Sequence, residues 1–280
     1  MALNLATLHH PIGPLTKDYT WRDLILYALG VGAGFDELEY CYEKQLKAIP
    51  TFAIAATFDF FWQVGLLANI NSRGALHGEQ EVIFHHSIPT TGRFITQGAI
   101  THIYDKGADK GALVVAQSST RHSNGQELFT SNWTIFSRLD GGFGGENSPA
   151  VHVQMPEAPP DDTASDTPAS NQPLLYRLSG DLFDLHVDPQ FANSAGFNKP
   201  IMHGLCTLGY ACRHLIKMIC PQQPERLKRL SCRFASPLYP GTPIETQIWQ
   251  STVKTVQWQT LSPATGKAVI THGIAEFSGE

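Results

Sequence analysis

Asp181 and His186 stand five residues apart in GDLFDLHVDPQFA (180–192), directly behind Gly180. A carboxyl and an imidazole that close can hold one water between them and move its protons, which is general acid–base chemistry. Eighteen residues after His186, KPIMHG ends in Gly204 at the head of an apolar, helix-patterned segment. The N–H groups that open a helix lack intrahelical acceptors and favour negative charge. A carbonyl oxygen set against Gly204 N–H would therefore be stabilised as it became an enolate. Acid, base and anion hole are together what hydration of an α,β-unsaturated thioester requires. Singly, each has a blander reading: Asp181 caps a turn, His186 is a satisfied core histidine, His203 packs. Their grouping in one part of the chain favours chemistry. Phe183, between acid and base, can neither donate nor accept a hydrogen bond.

Other motifs fall away. GVGAG (30–34) lacks the spacing of a dinucleotide loop and follows DLILYAL, a helical pattern, so it reads as a turn. GLCTLG around Cys206 has Leu208 where a nucleophile elbow needs glycine, which leaves Cys206 as a small buried residue. His85 and His86 are neighbours on a strand and face opposite ways, with no carboxylate or thiol at ligand spacing. No metal site is expected.

The elements that would position the dyad come in two similar sets. The segment 140–174 is rich in Gly, Pro, Ser and Asp and reads as a linker. It divides the chain into 1–140, a linker of 141–174, and 175–280. YALGV at Tyr27 resembles YRLSGD at Tyr176; PTFAIA from Pro50 matches PIMHGL from Pro200; SIPTTGRF from Ser87 parallels SPLYPGTPI from Ser236. This near-constant offset marks a duplication. Each part has one buried helix, TFAIAATFDFFWQVGL or GLCTLGYACRHLIKMI, followed by four strands with turn signals between them. The expected class is α+β, each sheet wrapped on its helix. In the first half Val31 takes the place of Asp181, and Thr51 and Phe52 the place of His-Gly. That half is expected to bind and the second to catalyse.

Among the 280 residues, 42% are hydrophobic and the net charge is −5, so no basic excess draws the chain to nucleic acid or anionic membranes. Five cysteines without a C-x-x-C pair fit reduced thiols. The longest apolar run is broken by Asp59 and Gln63, MALNLATLHHPIGP lacks a secretory pattern, and the terminal SGE does not match the peroxisomal tripeptide. A soluble cytoplasmic protein is the expectation.

YALGVGA, LHGEQ, YDKGADKGALV, GDLFDLHVDP, GFNKPIMHGL and RFASPLYPG, in this order, resemble the hydratase 2 and MaoC-like dehydratase family in its two-repeat, double hot-dog form. The resemblance implies reversible, metal-independent conversion of trans-2-enoyl-CoA and water into (R)-3-hydroxyacyl-CoA, with the CoA thioester as substrate and no cofactor. It implies that Asp181 and His186 hold the water and that Gly204 N–H serves the oxyanion. His77, Gly78 and Lys106 would contact CoA, Leu182, Phe183, Asp184 and Leu185 would line the substrate, and Phe234 would wall the second half's share of the pocket. The family motif usually reads G-D-x-N-P-L-H; here Phe183 replaces the Asn and Asp184 the Pro. An apolar ring there would raise the Asp181 pKa if it excludes solvent. Asp184 could turn inward as a polar substitute. A non-catalytic acyl-CoA-binding homologue and a hot-dog thioesterase remain alternatives. Ala53, Ala55 and Ala56 hint at a roomy acyl tunnel. The doubled chain fits a monomer, or a homodimer.

Overall fold

Alternation sets the strands. Ala112, Val114, Ala116, Ser118 and Thr120 turn inward at every second position of one strand, the period of a sheet with one face on the core. The structure is a computed structural model describing residues 3–149 and 153–279. The first half runs β1 (Pro11–Tyr19), α1 (Trp21–Gly30), α2 (Leu38–Cys41), α3 (Phe52–Ala56), α4 (Phe58–Leu67), β2 (Ala75–Phe84), β3 (Gly92–Asp105), β4 (Ala112–His122) and β5 (Glu127–Ser137). The second runs β6 (Asp162–Asp166), α5 (Gln172–Tyr176), α6 (Pro189–Ser194), α7 (Gly204–Ile219), β7 (Leu227–Phe234), β8 (Ile244–Gln250), β9 (Thr255–Ser262) and β10 (Lys267–Phe277).

The strands form one antiparallel sheet in the order β1-β3-β4-β5-β2-β7-β10-β9-β8-β6. Each side of the central β2–β7 pair mirrors the other, and this is the double hot-dog architecture expected. At the seam Glu79 faces Arg233 and Glu81 faces Ser231. Arg233 pairs with Glu79, while Arg229 bridges Glu81 at 2.6 Å and Glu276 at 2.8 Å.

The second central helix spans the residues its pattern marks, with every side chain from Leu205 to Ile216 buried. Its counterpart is not one helix. Thr57, with φ −110° and ψ 17°, separates α3 from α4, and its hydroxyl donates to the Ala53 carbonyl at 2.8 Å. Threonine back-bonding of this kind competes with the helix ladder and bends it.

The 141–174 segment is not a free linker. Its residues 150–152 lie outside the described ones, but on both sides the chain is docked. Asp105 accepts from the N–H groups of Gly107 (2.8 Å), Gly142 (2.7 Å) and Gly144 (2.6 Å). Further on, β6 pairs along β8 from Asp162↔Ile248 to Asp166↔Ile244. Its DTASD sequence is polar because the strand lies at the sheet's edge, where charged residues are favoured over apolar ones. β1, at the opposite edge, likewise shows no regular alternation.

Arg213 of α7 ties these parts together. Its Nε donates to Glu37 at 2.9 Å, its Nη1 to the Val31 carbonyl at 2.8 Å, and Asp166 of β6 lies 3.4 Å away. Among the described residues, no helix is long and apolar enough to cross a membrane.

Candidate active site

Gly180 has φ +149°, and a Cβ there would collide with the Ala55 carbonyl. Only glycine lets the second half's loop pass this close to α3. The next residue, Asp181, is thereby delivered to the junction of the halves and left 7% exposed. Its Oδ1 accepts the Phe183 N–H at 3.1 Å. Its Oδ2 stands 4.0 Å from His186 Nε2.

His186 lies in the 3-10 turn Asp184–His186, and its Nδ1 is 3.0 Å from the Ile201 carbonyl. A carbonyl can only accept, so Nδ1 carries the proton and Nε2 presents a lone pair toward Asp181. The gap is too long for a direct bond. It fits a water making hydrogen bonds of about 2.8 Å to both atoms.

Burial pushes the Asp181 carboxyl up to about 7, although the Phe183 N–H pulls the other way. Burial pushes His186 down to about 4. Near neutral pH the pair therefore carries a neutral imidazole and a carboxyl that is substantially protonated, a base and an acid side by side.

Gly204 opens α7, and its N–H belongs to the turn without intrahelical acceptors. A Cβ at Gly204 would stand 2.9 Å from the Phe234 ring, so glycine also keeps this wall closed. Asp181, His186 and Gly204 line one cavity of about 500 Å³, shared with Phe58, Phe61 and Trp62 of α4 and with His77 and Gly78 of β2. The site is thus built from both halves.

A family profile described as "MFE-2 hydratase 2 N-terminal domain" matches residues 18–139, and one described as "MaoC like domain" matches 151–273. A protein of Dictyostelium discoideum named "Probable enoyl-CoA hydratase 2" is 35% identical over 96% of this chain and 94% of that one. The chain belongs to the hydratase 2 family. It is also 35% identical, over 96% of its length, to the "Peroxisomal multifunctional enzyme type 2" of Mus musculus, of which it spans 38%. Among solved structures, a MaoC-like dehydratase from Phytophthora capsici superposes with a TM-score of 0.88 at 28% identity, covering 99% of this chain and 98% of that one.

Within this hydratase 2 fold the remaining expected residues separate. His77 packs between Phe61 (4.8 Å), Phe234 (4.9 Å) and Trp133 (5.9 Å), and burial pushes it down to about 3. It is a neutral wall of the cavity. Gly78 sits at a bulge between His77 and Glu79, where β2 slips against β5. Phe234 walls the cavity as expected. Lys106 is exposed in the turn after β3, outside the cavity wall.

Three expectations are corrected. Asp184 does not turn inward; it is exposed, and its carbonyl closes the turn by accepting the N–H groups of Val187 (3.0 Å) and Asp188 (2.8 Å). Leu182 is 56% exposed and absent from the cavity wall, whereas Leu185 lines it, 3% exposed, against Ala192 and Ile201. Ala53, Ala55 and Ala56 are buried in the core, and the tunnel wall is formed by the aromatic residues of α4.

His203 touches both Asp181 and His186. Fully buried, its Nε2 is 3.1 Å from the Asp181 carbonyl, and its ring stacks on His186 with centroids 3.8 Å apart. Ligand atoms of Asp181, His186 and His203 lie within 4.8 Å of one another.

Proposed function

We propose that this chain is an (R)-specific 2-enoyl-CoA hydratase, adding water to trans-2-enoyl-CoA and, in reverse, dehydrating 3-hydroxyacyl-CoA. The observation that carries this reading is the 4.0 Å gap between Asp181 Oδ2 and His186 Nε2, inside the cavity that Gly204 also lines. A water in the gap gives its proton to His186 Nε2 as its oxygen attacks the β carbon. The thioester oxygen takes up negative charge against Gly204 N–H, and protonated Asp181 delivers its proton to the α carbon. Proton return from His186 to Asp181 restores the pair. Both proton carriers are side chains, so the reaction needs no group beyond the CoA thioester.

The test follows the ultraviolet absorbance of a medium-chain trans-2-enoyl-CoA mixed with the protein, beside Asp181→Asn. Loss of the conjugated-thioester band with wild type alone supports hydration. Binding without loss makes the chain a non-catalytic acyl-CoA-binding homologue. Release of free CoA thiol makes it a thioesterase.

A further inference from the structure

His203 is the only described residue that both hydrogen-bonds the backbone of Asp181 and stacks on His186. Its Nε2 faces a carbonyl, so Nε2 carries the proton and donates it. Its Nδ1 is buried without a partner. An apolar ring would avoid that unpaired nitrogen, so packing alone is a poor reason for a histidine here. The Tyr176 ring also lies 4.9 Å away and packs against the imidazole. The residue also precedes Gly204 and forms the N-cap position of α7.

We propose that His203 is a positioning residue that sets the Asp181–His186 gap, holding the acid through its backbone carbonyl and the base through its ring face. The donor bond fixes the peptide from which the Asp181 carboxyl projects. The stack fixes the plane in which His186 Nε2 looks at Asp181 Oδ2. Because the same residue leads into α7, the acid, the base and the anion-stabilising N–H are referred to one buried ring. The rings are also coupled by charge: proximity to His186 adds to the burial that holds His203 neutral. The inference rests on the hydratase reading above, because the gap matters only if it holds the reacting water.

Two substitutions separate the functions of the ring. His203→Phe keeps a stacking face and removes the donor. His203→Gln keeps a donor near the position of Nε2 and removes the face. For each variant, kcat and KM for a trans-2-enoyl-CoA are measured together with the melting temperature. The 15N shifts of the His186 ring report its tautomer and need no turnover.

Each variant is expected to lose about tenfold or more in kcat with KM within about twofold, as for a misplaced catalytic pair. In His203→Gln, the His186 shifts are expected to move from a single Nδ1–H tautomer toward a mixture. The proposal is overturned if both variants keep kcat within about twofold and an unchanged His186 tautomer, whatever happens to the melting temperature. If wild type itself does not hydrate enoyl-CoA, the hydratase reading fails first, and the tautomer arm still decides whether His203 orients His186.

Discussion

The ring of Phe183 meets the indole of Trp62 edge-on, with centroids 5.2 Å apart. Phe183 belongs to the loop that carries Asp181 and Trp62 to α4 of the other half, so the contact fastens that loop to the cavity wall. Phe191 closes the cluster at 5.1 Å, and the His186 ring lies 6.2 Å away. Phe183, standing where the resemblance implies an Asn, therefore contributes burial where a polar side chain would contribute a hydrogen bond. Its backbone N–H still serves Asp181.

Phe183→Asn is expected to admit solvent beside Asp181 and reduce the desolvation that raises its pKa. The carboxyl then falls from about 7 toward its ordinary 3.8. The alkaline limb of the kcat/KM profile should move to lower pH. An unmoved limb would show that Phe183 does not set the acid's environment.

The wild-type profile itself should be bell-shaped. In the proposed mechanism the pair works as neutral His186 and protonated Asp181, so activity should fall below the histidine's value of about 4 and above the aspartic acid's of about 7. Rates that climb steadily through pH of about 9 would show that a protonated Asp181 is not required.

Stability carries the same signature. The folded value of Asp181, about 7, exceeds its ordinary 3.8. Its stabilising contribution is therefore complete below the unfolded pKa and is lost as pH rises through the folded one. About three units at about 1.4 kcal/mol each amount to about 4 kcal/mol. Asp181→Asn cannot ionise, so this variant should unfold at higher urea concentration than wild type at a pH of about 8. The advantage should vanish near a pH of about 4.

Arg213→Met should cost about 3–5 kcal/mol in urea denaturation, because it leaves Glu37 and Asp166 without their cation. Combining it with Glu37→Leu should recover a large part of the loss. A double variant no more stable than the single one would show that Glu37 bears no penalty of its own.

Much of this arrangement was legible in the chain. The second central helix ends where its pattern ends, and the acid, the base and the glycine at the helix start announce themselves by type and spacing. Other features depend on tertiary context. Edge strands β1 and β6 lack apolar alternation, and their places at the margins of the sheet come from pairing with β3 and β8. The break at Thr57 depends on one hydroxyl turning back to Ala53, which the surrounding apolar residues conceal. Asp184 looked available as a polar substitute, but a one-turn 3-10 helix sets its direction outward. His203 could be noticed only as the residue before Gly204, since its two partnerships come from chain segments that meet on folding.

The mirrored sheet has a final consequence. A ten-stranded sheet built from two like halves could in principle keep growing, each terminal strand serving as a template for another molecule. β1 and β6 occupy those ends. Pro11 and Pro14 remove backbone donors from β1, which also carries Lys17 and Asp18, while β6 is five residues long with an aspartate at each end. The unremarkable sequences at the two margins thus give a further strand little to pair with.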